Sequence, residues 1–369
     1  MKIAIHNSQF SEFIGGTERL IYYQIKELLK KENVSITLIT SKTKNASPFF
    51  KSLKLLNSSK LEIIEFNPNF LNIEFTSNDP RRWHLQSVYF GISSQHIYYQ
   101  RQFDLVITHF STDSLFIPKK QKNILHLHGT PSNYSEIGEI SIRRPDFFIA
   151  VSHYVKKTWK NLYPFLKRKK INVVYSGIDT KKFCNKKLYR ENDLLFVGRL
   201  IKIKGIETLL ESLSLIEKKI NLIIVGEGPE RENLIRRASA LGLTNQVKFL
   251  GKVSDNELID LYNKTKITVF RSYAKEGFLL TMQEAASCGA AVITSNACSM
   301  PEFIIDKENG LLFEPKNPQD LANKISILLL DEKLRNTLSK KGEFDIRTQS
   351  HIEKRVNELY RVYKEIISK

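Results

Sequence analysis

Short apolar, β-branched runs recur along the chain, with gaps wide enough for a helix between them. In the first half they cover residues 2–6, 35–40, 104–108, 123–127, 146–151 and 171–175, with 61–65 as a weaker seventh. The second half repeats the rhythm at 194–197, 221–225, 247–250, 267–270 and 291–294. These runs are nearly continuous in hydrophobicity rather than alternating, as parallel strands covered on both faces are. The intervening segments carry the helical period. Leu20, Tyr23, Ile25, Leu28 and Leu29 fall on one stripe, and so do Ile206, Leu209, Leu210, Leu213 and Ile216. The pattern predicts an α/β chain with two parallel sheets, each in a Rossmann-like domain.

At 369 residues the length suits two domains. Periodicity is weakest over 176–192, where Lys181, Lys182, Lys186 and Lys187 stand. This places a first domain at 1–175 and a second at 176–351. Open parallel sheets bind ligands beyond the carboxyl ends of their strands. Two such domains facing each other would build one central cleft, and the useful residues should directly follow strands.

Composition narrows the class. The chain is 41% hydrophobic and 26% charged, with 16 Gly and 11 Pro, a globular profile. No apolar run approaches the roughly 18 residues of a membrane span. Met1-Lys2-Ile3-Ala4-Ile5-His6 reads as a strand, not as a secretory leader. Cys184, Cys288 and Cys298 make neither a disulfide framework nor a metal cage. The expectation is a cytoplasmic enzyme. Net charge is +18, and residues 1–170 hold 25 basic against 13 acidic side chains. That excess favours anionic partners, although a solvated lysine-rich surface accounts for it equally well.

Several post-strand loops carry candidate chemistry. Phe13-Ile14-Gly15-Gly16-Thr17-Glu18 leads into a helix whose amides could meet an anion, or it is plain turn geometry. In His126-Leu127-His128-Gly129 the two histidines share a strand face, with His128 at the tip. His128 suits proton transfer or a hydroxyl contact, or else is a structural histidine. Arg199 follows a strand and Lys204 opens the next helix, a fork and a point charge that suit a diphosphate; two solvated cations are the alternative. Gly226-Glu227-Gly228-Pro229 lacks the third glycine of a dinucleotide fingerprint.

Glu276 and Glu284 lie eight positions apart, the first before a helix and the second two turns inside it. Their separation of about 12 Å along the axis exceeds the 5–9.5 Å of a glycosidase acid–base pair. They could instead hold the two ends of a long ligand, with the amides of Gly277, Phe278, Leu279 and Leu280 between them as an anion site. Two solvated glutamates on an amphipathic helix are the alternative.

Taken in order, Gly-Gly-x-Glu, His-Gly, Ser-Gly-Ile-Asp, Gly-Arg-Leu-x-x-x-Lys-Gly, Gly-x-Gly-Pro and Glu-Gly-Phe-x-x-x-x-x-Glu-Ala resemble glycosyltransferase family 4. Those are retaining enzymes of the GT-B fold. The likeness spans nearly the whole chain and is densest over 173–315. It implies that Arg199 and Lys204 grip the diphosphate of a nucleotide sugar. It likewise implies that Glu284 bonds the ribose, that Glu276 lies near the transferred sugar, and that the Gly277, Phe278, Leu279 and Leu280 amides serve sugar and phosphate. Gly16 matches a glycine that approaches the donor phosphate, and His128 a histidine beside the reacting sugar. The stretch 352–369 resembles a last helix that returns to the first domain. Leu279 stands where the family usually has glycine, which predicts a narrowed sugar pocket. Ala297-Cys298-Ser299-Met300 replaces a glycine-rich approach to Pro301-Glu302.

The implied reaction moves a hexose or N-acetylhexosamine from a nucleoside-diphosphate sugar, with a UDP-sugar favoured, to an acceptor hydroxyl. No cofactor is expected, and no Asp-x-Asp metal clamp stands near the loops, so a metal-independent reaction is expected. The acceptor, a sugar, a lipid-linked group or a small molecule, is expected on the first domain. There Val155, Trp159, Leu162 and Leu166 form a stripe beside Lys156, Lys157, Lys160 and the run 167–170, which suits peripheral contact with an anionic membrane or a core-facing helix. Rival readings are a GT-B nucleotide-sugar epimerase, a phosphorylase lacking a recognisable pyridoxal lysine, and a basic protein binding nucleic acid or membrane. No nucleic-acid motif is present, and binding to nucleic acid is not expected.

Overall fold

In the computed structural model, residues 1–12, 15–67, 80–131, 136–272 and 276–369 are described. Phe13, Ile14 and Lys275, which belong to loops singled out above, lie outside the described residues. The chain divides into two compact units, Met1–Ser176 with Ile352–Lys369, and Gly177–His351.

Unit 1 is a seven-stranded sheet of β1 (Lys2–His6), β2 (Ser35–Ser41), β3 (Leu61–Phe66), β4 (Leu105–Thr108), β5 (Asn123–Leu127), β6 (Phe147–Ala150) and β7 (Ile171–Val173). The spatial order is β3-β2-β1-β4-β5-β6-β7, and every described pairing is parallel. Unit 2 contains β8 (Asn192–Val197), β9 (Leu222–Val225), β10 (Val247–Gly251), β11 (Thr265–Phe270), β12 (Ala291–Ser295) and β13 (Leu311–Phe313). Its order is β10-β9-β8-β11-β12-β13, again parallel. Both are doubly wound, Rossmann-like sheets. Chain order reverses beside β1 in one and beside β8 in the other, so neighbouring loops diverge at β1/β4 and β8/β11.

All twelve runs marked in the sequence are strands. The addition among the described residues is β13, whose apolar stretch ends with Phe313, whereas the equally short edge strand β7 lies in the longer run 171–175. The helix Gly16–Leu29 buries Leu20, Ile21, Tyr23, Ile25 and Leu28, and Ile206–Ser214 buries Ile206, Leu209, Leu210 and Leu213. No helix among the described residues is long and apolar enough to cross a membrane.

The basic helix His153–Leu162 turns Val155 fully inward, and Leu166 in the following single turn is buried too. Trp159 Nε1 donates to the Gly129 carbonyl at 2.7 Å. The apolar stripe is therefore largely spent on unit 1's own interior, while Lys157 and residues 167–170 remain exposed.

The helix Ile352–Ile367 completes unit 1. Val356, Leu359, Tyr363 and Ile366 enter the same core as Leu20, Ile25 and Leu28, and Lys122 Nζ caps its end at the Ile366 and Ile367 carbonyls. Leu359→Ala should cost about 2–5 kcal/mol of unit 1 stability, the usual loss for a fully buried leucine, read by urea unfolding.

Under the β1 and β4 loops, the Asp113 carboxylate accepts from Ser8 N at 3.1 Å and Ser8 Oγ at 3.0 Å. Burial pushes its pKa up from 3.8 to about 7, against the pull of the Ser8 and Ser87 hydrogen bonds. A carboxyl raised on folding contributes stability below its unfolded pKa that is lost as pH climbs through the folded one. Asp113→Asn should therefore gain on the parent by roughly 2–3 kcal/mol between pH 5 and pH 8. Paired thermal melts would show this as several degrees, and a constant offset across that range would contradict it.

Candidate active site

The two loops that diverge at β8/β11 carry most of the unit 2 candidates. After β8 the chain passes Gly198 and exposed Arg199, makes a single 3₁₀ turn at Lys202–Lys204, and enters the helix Ile206–Ser214 through Gly205 at φ 55°. That left-handed value favours glycine and lets Lys204 end one helical turn as the next begins. After β11 the chain reaches Glu276 and then the helix Leu280–Ser287.

The loops meet at an ion pair. Lys204 Nζ lies 2.6 Å from Glu276 Oε1, with the side chains only 12% and 16% exposed. A charge-assisted contact so shielded from water fixes the lysine head group between the two strand ends. Arg199 does not join it and remains on the surface of the same loop.

A second layer holds this pair in place. Ser299 Oγ donates to the Glu276 carbonyl at 3.4 Å, and Phe278 meets Phe303 edge to face at 4.6 Å between centroids. Cys298 takes φ 57°, so in this loop a cysteine bears the left-handed conformation that glycine adopts more readily.

Leu279 corrects an expectation. Its side chain is 8% exposed and packs in the core with Phe270, Met282 and Val292, so it is not positioned to narrow a pocket. Its backbone, φ −101° and ψ 101°, is open to any residue. No side chain caps the helix it precedes, so the amides from Leu279 onward lack that partner. Glu284, in the second turn, is 1% exposed, an enclosed carboxylate well behind the helix entrance.

Gly226 and Gly228 have a packing role. A Cβ at Gly226, φ 132°, would meet the Gly198 carbonyl oxygen at 1.9 Å, and one at Gly228 the Leu200 oxygen at 2.3 Å. The loop after β9 lies directly on the loop bearing Arg199, joined by Leu200 N to Glu227 O at 2.9 Å and Glu230 N to Leu200 O at 3.0 Å.

In unit 1, Gly16 opens the helix Gly16–Leu29, again without a side-chain cap. His128, just past β5, is half-buried, and its Nε2 lies 2.7 Å from His109 Nδ1. His126 completes a three-ring cluster and its Nε2 lies 3.0 Å from the Tyr363 hydroxyl. Burial lowers the pKa of His128 to about 4 and drives those of His109 and His126 well below 6.5, so all three rings are neutral at pH 7. His109 was missed by sequence reasoning. It directly follows β4, and the position that marked His128 marks it equally.

Comparison with known proteins bears on these loops. Residues 14–182 match the family model described as Glycosyltransferase Family 4, and 178–344 match the one described as Glycosyl transferases group 1. An uncharacterized glycosyltransferase of Methanocaldococcus jannaschii is 30% identical over 71% of this chain and 76% of its own length. The N,N'-diacetylbacillosaminyl-diphospho-undecaprenol alpha-1,3-N-acetylgalactosaminyltransferase of Campylobacter jejuni is 33% identical over 56% of this chain and 57% of its own. Among solved structures, Anabaena HepE in complex with UDP superposes with TM-score 0.76 at 20% identity, covering 99% of this chain and 100% of HepE. The fold is that of the GT-B glycosyltransferases.

Gly226→Ala should push the two loops apart and lower the melting temperature of unit 2 by several degrees. Gly242→Ala, at φ 72° with open space around its Cβ, should cost only the backbone strain of about 1–2 kcal/mol. Equal losses in calorimetry would remove the proposed close packing.

Proposed function

Since the chain belongs to glycosyltransferase family 4, the group 1 glycosyl transferases, we propose that it moves a hexose or N-acetylhexosamine from a nucleoside-diphosphate sugar to an acceptor hydroxyl with retention at the anomeric carbon. A UDP-sugar is the favoured donor, supported by the UDP complex of the like-folded HepE. The observation that carries the reading is the Lys204–Glu276 pair at the β8/β11 divergence. An ammonium held at the carboxyl ends of a parallel sheet supports a diphosphate site there.

Unit 2 binds the donor. Lys204 and Arg199 neutralise the diphosphate, the Gly277, Phe278, Leu279 and Leu280 amides serve phosphate and sugar, Glu276 stands by the sugar, and Glu284 takes the ribose hydroxyls. Unit 1 binds the acceptor, and its uncapped helix entrance at Gly16 offers amides to a phosphate. His128, a neutral imidazole, offers a hydrogen bond to a sugar hydroxyl without adding charge.

In the reaction, the bond from the anomeric carbon to the phosphate oxygen breaks and the diphosphate leaves with the electron pair. The acceptor oxygen bonds the same face, and its proton passes to a phosphate oxygen. Charge develops on the diphosphate, where fixed cations and helix amides stabilise the transition state most. The chemistry proceeds without a resident metal.

Biosynthesis of a polysaccharide, glycolipid or glycoconjugate follows from an acceptor of this class, and the Campylobacter relative is named for a lipid-linked one. The exposed lysines at 157, 167, 169 and 170 support peripheral attachment to an anionic membrane through charge rather than insertion.

Lys204→Ala should lower turnover by at least about a hundredfold in a radiolabelled nucleotide-sugar assay, the scale of one lost transition-state donor. A near-normal rate would take Lys204 out of the mechanism. EDTA should leave the rate unchanged, whereas loss restored by manganese would end the metal-free reading. Product formation should require an acceptor; conversion of the donor alone would favour an epimerase. Flotation with phosphatidylserine vesicles should be lost at high salt, and absent flotation at low salt would remove the membrane contact.

A further inference from the structure

Three imidazoles converge where β4 and β5 end, on adjacent strands of one sheet. His109, His126 and His128 each offer a ring nitrogen, and the three nitrogens lie within 4.8 Å of one another. We propose that this triad binds a single late first-row divalent cation, zinc above all, and that occupancy inhibits transfer by withdrawing His128 from the sugar.

Spacing supports the first half. Zinc at about 2.0–2.1 Å from each nitrogen in a tetrahedral site sets neighbouring ligands roughly 3.3–3.4 Å apart. The 2.7 Å approach of His109 Nδ1 to His128 Nε2 and the 4.8 Å outer limit bracket that value. Small ring movements at strand ends suffice, with no refolding.

The proton inventory also accommodates a ligand. His109 is 6% exposed, yet its Nε2 has no partner among the described residues. The contact between His109 and His128 holds one proton between two nitrogens, and either tautomer leaves a buried ring nitrogen of His109 unsatisfied. A cation takes the place of that shared proton, which moves to the far nitrogen of the ring that carries it, and two metal–nitrogen bonds replace the one nitrogen–nitrogen contact.

His126 is oriented for ligation by a residue from the far end of the chain. With Nε2 engaged by the Tyr363 hydroxyl at 3.0 Å, its other nitrogen remains as the ligand atom. A hydrogen-bonded outer partner that fixes ring orientation is the usual companion of a metal-bound histidine. An all-imidazole donor set selects zinc, copper, nickel or cobalt over magnesium and calcium. Three protein ligands leave a fourth position, and half-buried His128 supplies the open side.

Binding is independent of the proposed reaction; only the inhibition rests on it. Full-length protein titrated with zinc against a chromogenic indicator should take up one ion per chain with micromolar or tighter affinity. His109→Gln and His126→Asn should each weaken this at least tenfold while their melting curves remain cooperative. X-ray absorption of the zinc-loaded parent should show imidazole nitrogens at about 2.0–2.1 Å, a readout that stands even if a variant fails to fold. No stoichiometric uptake, unchanged uptake in both variants, or sulfur in the first shell would overturn the site. Zinc should slow transfer tenfold or more, with reversal by EDTA and weaker sensitivity in His109→Gln. Stoichiometric zinc with undiminished transfer would overturn the inhibition alone. An apo-protein that transfers no sugar from any donor would instead count against the reaction proposed above.

Discussion

Lys204 and Glu276 reach each other only because the order of strands in unit 2 turns back beside β8. Every strand there is parallel, so all carboxyl ends point one way and their loops crowd together, except where the winding reverses. At that point the loops after β8 and β11 part, and a lysine from one and a glutamate from the other fill the gap at 2.6 Å. Shielding from water makes the contact costly to break one-sidedly, because either partner alone would remain a half-buried charge. The surrounding features serve this geometry. Gly226 and Gly228 permit the β9 loop to brace the β8 loop, Ser299 tethers the Glu276 backbone, and the Phe278–Phe303 edge contact steadies the helix entrance.

Unit 1 solves a different electrostatic problem with the same topology. At its own divergence, β1/β4, the enclosed groups lack counter-ions among the described residues and shift toward their uncharged forms. His6 at the end of β1 is pushed down to about 3 by burial, while Asp113 is pushed up to about 7. Both move toward their uncharged forms, as desolvation without a counter-ion demands. The His109, His126 and His128 rings follow the same rule. Enclosed charge is therefore paired in unit 2, whereas in unit 1 it is shifted toward neutrality.

Much of this was readable along the chain. Parallel strands buried on both faces leave unbroken apolar runs, which is why twelve of the thirteen strands among the described residues could be marked and why β13, with no apolar residues beyond Phe313, escaped. The positions of Arg199, Lys204, His128 and Glu276 directly after such runs were equally visible. Other points were not. Leu279 was expected to crowd a sugar pocket, yet it points into the core, since side-chain direction depends on how the loop enters the helix. His109 carried the same post-strand signal as its neighbour but had no motif around it to draw notice. The helix at 153–162 had an apolar stripe that could have faced lipid or core, and packing of Val155 and Leu166 chose the core.

The chain's own order of residues determined the element types, the parallel sheets and the family, because periodicity and motif spacing are local properties written in one dimension. Tertiary structure alone decided which distant groups meet: Lys204 with Glu276, 72 positions apart, and His126 with Tyr363, 237 positions apart. Such contacts depend on strand order and helix docking, and neither leaves a trace in the spacing of neighbouring residues.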